Sequence, residues 1–255
     1  SLILNSMCGI AGKISLTEKT VSTTAAETMC EAIRHRGPDD SGSYLSPDQK
    51  VAFGHRRLSI IDLSPLGHQP MRYMDRYEIV FNGEIYNYQK KRDELEKSGY
   101  HFHSHSDTEV ILALYDKYQE HCLEHLRGMF AFAIYDEQEH VLFCARDRVG
   151  KKPFKYFFNG KTFMFASELK AILTQPEYVR EPDFLAIHHY LTLQYVPAPL
   201  TGFRDIAKLE PGYFLRLDLK TRQLDKECYW KLDYSEKLSL SEDEWKARII
   251  ETLEE

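Results

Sequence analysis

An α+β layered sandwich is the fold that the order of elements in this sequence predicts. Strand-like segments cluster at the start of the chain and again between Met129 and Ala166, with two helical patterns between the clusters. Strands and helices come in runs rather than in alternation, which argues against a parallel, doubly wound sheet. The 255 residues are also enough to bury a large core in one domain, or in one domain with an appendage.

Each element has its own signal. Cys8–Ile14 (CGIAGKI) is small and apolar, the texture of a short buried strand. Thr24–Arg34 carries Ala26, Met29, Cys30 and Ile33 at helical spacing, and Arg34–Gly42 is a run of turn formers that predicts a structured loop. Val51–Phe53 and Leu58–Ile61 read as strands and Asp62–Pro70 as loop. Tyr77–Phe81 reads as a strand ending at an Asn82-Gly83 turn. Tyr86–Lys97 and Asp107–Tyr118 are the clearest helices. The second begins at Ser106-Asp107, has Glu109 in its first turn, and aligns Val110, Leu114 and Tyr118. Met129–Tyr135 and Val141–Ala145 predict an antiparallel pair, and Phe154–Phe158 with Phe163–Ala166 a hairpin around Asn159-Gly160. Helices follow over Ser167–Leu173 and Asp183–Leu191. After Tyr195-Val196-Pro197-Ala198-Pro199 the texture changes, and Ser241–Glu255 begins like a capped helix with Trp245, Ile249 and Leu253 on one face. A helix that stops while still amphipathic predicts a chain cut from something longer.

Composition excludes several classes. The formal net charge is −6, and no block rich in Lys and Arg offers the clustered positive charge that phosphate contacts need, so nucleic acid is not an expected partner. The longest apolar run, Met129–Tyr135, is seven residues, far short of a bilayer span, so no membrane association is expected. Aromatic residues at 13% exclude disorder. The cysteines, Cys8, Cys30, Cys122, Cys144 and Cys228, are odd in number and lack CxxC spacing; such a set suits a reducing compartment, and the expected localisation is cytoplasmic. Ser1–Ser6 has no basic region and reads as an addition ahead of an initiator, Met7.

Four groups of residues can carry chemistry. Cys8 follows Met7 and precedes the small Gly9. Removal of an initiator there would leave a terminal cysteine, which holds nucleophile and base in one residue because an α-amine titrates near about 7.7–8.0. Asn82-Gly83-Glu84 would as a bare turn mean little, but a carboxamide beside a glycine N–H can hold an oxyanion. In Gly54–Ile61, an arginine fork can clamp a carboxylate bidentately. Ser106-Asp107 reads first as a helix cap, and the Asp can also pair with an ammonium. The histidines invite a metal: His101, His103 and His105 alternate as on one strand face, and His121 and His125 stand four apart. With no carboxylate–His helix motif beside them, no metal is expected. Gly150-Lys151-Lys152 lacks a preceding strand and Gly-rich loop and is no P-loop.

These residues fall in ordered blocks: Met7–Gly12, Arg34–Asp39, Arg57-Leu58-Ser59-Ile60, Phe81–Asn87, Ser106–Glu109, Gly128–Ala133, Ala145–Arg148 and Phe165–Ala171. The set resembles class II glutamine amidotransferases, most closely the glutaminase half of glutamine-hydrolysing asparagine synthetases, over about Met7 to Trp230. The resemblance implies a four-layer αββα sandwich of the N-terminal-nucleophile hydrolase type. It also implies Cys8 as nucleophile with its α-amine as base, and Asn82 with the Gly83 amide as oxyanion hole. Arg57 is similar to the arginine that binds the glutamine carboxylate, and Leu58, Ser59, Ile60 and Ile61 would line the pocket. Glu84 and Asp107 resemble the residues that recognise the substrate's polar and ammonium groups.

By the same resemblance, residues 1–7 are an extension, 8–218 the amidotransferase domain, and 219–255 a linker and first helix of a truncated synthetase domain. L-glutamine is the expected substrate and the synthetase domain of the same polypeptide the expected partner; a homodimer is a further expectation. No cofactor is expected for this chain, ATP and Mg belonging to the synthetase domain. Two alternatives stay open: a related enzyme that amidates another acceptor, and a non-catalytic binding homologue. Within the same chemistry, hexosamine-phosphate synthases and phosphoribosyl amidotransferases also compete, although Tyr195-Val196-Pro197, Leu209–Gly212 and Tyr229-Trp230 resemble the joining segment of asparagine synthetases.

Overall fold

In a computed structural model of the chain, residues 7–58, 67–235 and 237–254 are described. Two six-stranded sheets dominate. The first contains β1 (Gly9–Ser15), β2 (Asp40–Leu45), β3 (Val51–Arg57), β8 (Lys155–Phe158), β9 (Thr162–Ala166) and β10 (Ile206–Lys208), in the order β10-β8-β9-β1-β3-β2. The second contains β4 (Met71–Tyr73), β5 (Tyr77–Ile85), β6 (Gly128–Asp136), β7 (Val141–Arg146), β11 (Tyr213–Asp218) and β12 (Gln223–Cys228), in the order β12-β11-β7-β6-β5-β4. Neighbouring strands pair antiparallel in both.

Period-two alternation builds the layers. On β6, Ala131, Ala133 and Tyr135 turn into the space between the sheets, while Phe130, Phe132 and Ile134 turn outward against a helix. That outer helix is α3 (Asp107–Tyr118), whose residues Thr108–Tyr115 are all buried; α2 (Tyr88–Glu96) lies against it. On β1, Ile10 and Ile14 join Phe53, Phe163 and Phe165 between the sheets, and Ala11 faces α1 (Thr23–Ala32) and α4 (Leu169–Ile172). The apolar run Met129–Tyr135 is thus a strand covered on both faces. Gly54 lets α1 approach, since a Cβ there would stand 2.5 Å from Cys30 Sγ. The result is the expected α+β sandwich in four layers.

Several expectations need correction. The strand expected over Val51–Phe53 is longer, since β3 runs unbroken to Arg57; of the strand expected over Leu58–Ile61, Leu58 lies outside β3 and Ser59, Ile60 and Ile61 fall outside the described residues. Asn82-Gly83 is no turn, because β5 continues through it with Asn82 opposite Ala131 and Gly83 opposite Phe130. Gly83 serves close approach instead, since a Cβ would meet the Met129 carbonyl at 2.2 Å. At Asn159-Gly160 the turn is real: Gly160 has φ +77°, and Asn159 Oδ1 accepts from the Lys161 and Thr162 amides. The supposed loop Arg34–Gly42 ends in the edge strand β2. His101, His103 and His105 occupy irregular chain, not a strand face.

Among the described residues no helix is long and apolar enough to cross a membrane. Past residue 218, β12 keeps the chain in the second sheet to Cys228. α5 (Phe184–Leu193) is capped by Asp183, and α6 (Glu242–Glu254) opens with a reciprocal Ser241–Glu244 cap and buries none of its residues.

Candidate active site

The two sheets meet around one cavity of about 260 Å³, just below the size usual for small-molecule sites. Cys8 stands one residue before the central strand β1. Pairing of Gly9 with Arg56 brings Cys8 beside the end of β3, where the Leu58 amide donates to its Sγ at 3.4 Å. Two contacts fix the peptide behind the thiol: Arg36 Nε donates to the Cys8 carbonyl at 3.1 Å, and Arg36 in turn pairs with Glu168 at 3.0 Å.

Across the cavity, β5 has outrun β4, whose pairing stops at Ile79. Side chains take over the exposed edge. Gln69 Oε1 accepts from the Phe81 amide at 2.6 Å, and His55 Nε2 lies 3.1 Å from the Phe81 carbonyl, to which it donates. Both peptide groups ahead of Asn82 are thereby held. Asn82 is only 1% exposed, and its Nδ2 has no hydrogen-bond partner among the described residues. A buried donor left unsatisfied costs about 1–3 kcal/mol, so such a group is kept where a ligand supplies the acceptor.

Glu84 follows on β5, and Asp107 begins α3, accepting from the Ile85 amide at 2.9 Å while Ser106 caps the helix. Burial pushes the Asp107 carboxyl up to about 6; hydrogen bonds from Ile85 and Thr108 oppose this, and the Glu84 charge adds to it. Burial also raises the Cys8 thiol, opposed by the Leu58 backbone and the charges of Arg57 and Lys152. His55 is driven down to about 4 by burial, so it is a neutral imidazole.

Cys8, Arg57, Leu58, Asn82, Gly83, Glu84 and Asp107 all line this cavity, although Arg57 and Asp107 stand 50 positions apart in sequence. Ser59, Ile60 and Ile61 cannot be placed with them, lying outside the described residues. Sequence reasoning missed His55, Gln69 and Lys152, which also face the cavity. His55 sits inside the Gly54–Ile61 block and could have drawn attention. Gln69 carried no local signal, because its partners lie 12 and 39 residues away.

The chain is similar in sequence and in fold to known proteins. A family profile described as a glutamine amidotransferase domain matches residues 7–230. Asparagine synthetase [glutamine-hydrolyzing] 3 of Bacillus subtilis is 38% identical over 95% of this chain and 39% of its own length. Asparagine synthetase [glutamine-hydrolyzing] 1 of the same organism is 44% identical over 81% of this chain and 33% of its own. The chain therefore spans less than half the length of these curated relatives. Among solved structures, the glutamine phosphoribosylpyrophosphate amidotransferase of B. subtilis superposes with TM-score 0.63 at 18% identity, over 88% of this chain and 49% of that one, a likeness of fold.

Proposed function

Because this chain belongs to the glutamine amidotransferase domain family, we propose that its cavity hydrolyses the side-chain amide of glutamine, with Cys8 as nucleophile. The Nδ2 of Asn82, buried in the same cavity as the thiol and without a partner among the described residues, carries this reading.

In this reading Arg57 clamps the α-carboxylate and Asp107, with Glu84, holds the ammonium, while Leu58 walls the pocket beside the thiol. The α-amine of Cys8, once freed from Met7, takes the thiol proton. Sγ forms a bond to the amide carbon, and the oxyanion is received by Asn82 Nδ2 and the Gly83 amide. The C–N bond breaks, nitrogen leaves as ammonia carrying that proton, and water cleaves the thioester to glutamate. In a longer protein that joins this domain to a synthetase part, the ammonia would serve ATP-dependent amidation of aspartate, and ATP and Mg would belong to that part.

The test is a rapid acid quench with glutamine followed by peptide mass spectrometry. A glutamyl adduct on the Cys8 peptide, with glutamate and ammonia released in equal amounts, is expected. An adduct elsewhere, or no release from a form beginning at Cys8, sinks the reading.

Asp107 sets a pH dependence. Its carboxyl, raised to about 6, is ionised above that pH and protonated below it, and only the anion holds an ammonium. Hence KM for glutamine should rise as pH falls through 6, by about tenfold at pH 5, one unit below. Asp107→Asn should raise KM at neutral pH and flatten the profile. A KM unchanged down to pH 5 in the parent counts against Asp107 as the ammonium partner.

A further inference from the structure

Lys152 is 6% exposed, lines the cavity that holds Cys8, and contacts the thioether of Met7 at 3.1 Å, a weak acceptor. Among the described residues no carboxylate pairs with its ammonium. A buried cation without a counter-ion is costly, and burial depresses its proton affinity accordingly. The fold nevertheless holds it firmly. Asp147, fully buried, accepts from the Phe130, Lys151 and Lys152 amides, and Arg146 Nε donates to the Lys152 carbonyl at 2.7 Å. Both peptide groups of Lys152 are thus pinned at the end of the β7 loop, with the side chain directed at the residue before Cys8.

We infer that Lys152 is an electrostatic positioning residue for Cys8: its ammonium keeps that end of the cavity positive, so that the nucleophile ionises when it must attack. This rests on Cys8 being the nucleophile of the proposed function. Other charges act on the pair as well, and that of Arg57 also favours the Cys8 thiolate. Arg36 is engaged by Glu168 and the Cys8 carbonyl. Arg57 stands at the end of β3, assigned to the substrate carboxylate. Glu84 on β5 and Asp147 in the loop act on Lys152 at longer range and partly offset it. Within one cavity, an opposite charge favours the ionised form of a titrating thiol.

The experiment is the pH profile of Cys8 alkylation by iodoacetamide, in which the thiolate forms an S–C bond and iodide leaves. It is read on the Cys8 peptide by mass spectrometry, so that the exposed Cys228 does not interfere. In Lys152→Met the midpoint should move up by at least about one pH unit, a roughly tenfold slower reaction at pH 7. Lys152→Arg should restore the parent midpoint, and kcat for glutamine should fall in Lys152→Met with KM little changed. A Lys152→Met protein with a parental melting curve and an unshifted midpoint overturns the inference. So does a Lys152→Arg protein that behaves like Lys152→Met. Glutamate release is followed in parallel: its absence in the parent overturns the glutaminase reading and leaves the alkylation profile to decide on Lys152.

Discussion

Asn82→Ala should lower glutaminase turnover by roughly 10²–10³-fold, as loss of one oxyanion donor does elsewhere, equivalent to about 2.7–4 kcal/mol of barrier. KM should change little, because Nδ2 engages nothing among the described residues and gains its acceptor as negative charge develops. Stability should also hold: removing a buried donor with no partner among the described residues relieves a desolvation cost. Asn82→Asp sharpens the test. It keeps the shape of the side chain but brings oxygen where N–H is needed, and should be at least as slow as Asn82→Ala. Steady-state kinetics with thermal unfolding of each variant decide the matter. Parental turnover in either one removes Asn82 from the mechanism.

A form beginning at Cys8 should hydrolyse glutamine at least ten times faster than one that retains Ser1–Met7. With the extension in place the Cys8 nitrogen is an amide and cannot accept a proton. A thiol of ordinary pKa is only a few per cent ionised at pH 7, and burial raises this one further. Met7 also lines the cavity, with its sulfur on Lys152, in space that a substrate would enter. Both forms are to be made, their N-termini verified by mass spectrometry, and glutamate release measured. Equal rates with the extension attached would mean that another group is the base.

Where burial follows a simple period, the chain could be read directly. α3 begins at Asp107 as its Ser106 cap predicts, and β6 and β7 pair as their apolar runs predict. The edge strands escape such reading: β4 alternates buried Met71 and Tyr73 with exposed Arg72 but is only three residues long, and β2 has no fully buried residue. The strand over Val51–Phe53 reads short because Gly54-His55-Arg56-Arg57, through which β3 continues, is polar in composition. In the folded chain His55 is buried all the same, its polarity satisfied by a carbonyl 26 residues away. The Asn82-Gly83 dipeptide misled for a related reason: the same two residues that favour a tight turn also suit a strand pressed against the Met129 carbonyl. Cys8, Arg57, Asn82 and Asp107 could be proposed from motifs. The residues that hold the scaffold around them could not, because their hydrogen bonds join segments distant in sequence.

The tie between His55 and the Phe81 carbonyl works as a rivet between the sheets, since β3 belongs to one and β5 to the other. Apolar packing is non-directional and tolerates small slippage of one sheet over the other; a hydrogen bond one residue from Asn82 does not. Its acid tolerance matters as well. His55 remains neutral down to about 4, whereas Asp107 loses its charge near 6. Between those two values the carboxylate proposed to hold the ammonium is neutralised while the His55 tie persists. The weaker glutamine binding expected in mild acid should therefore reverse on return to neutral pH.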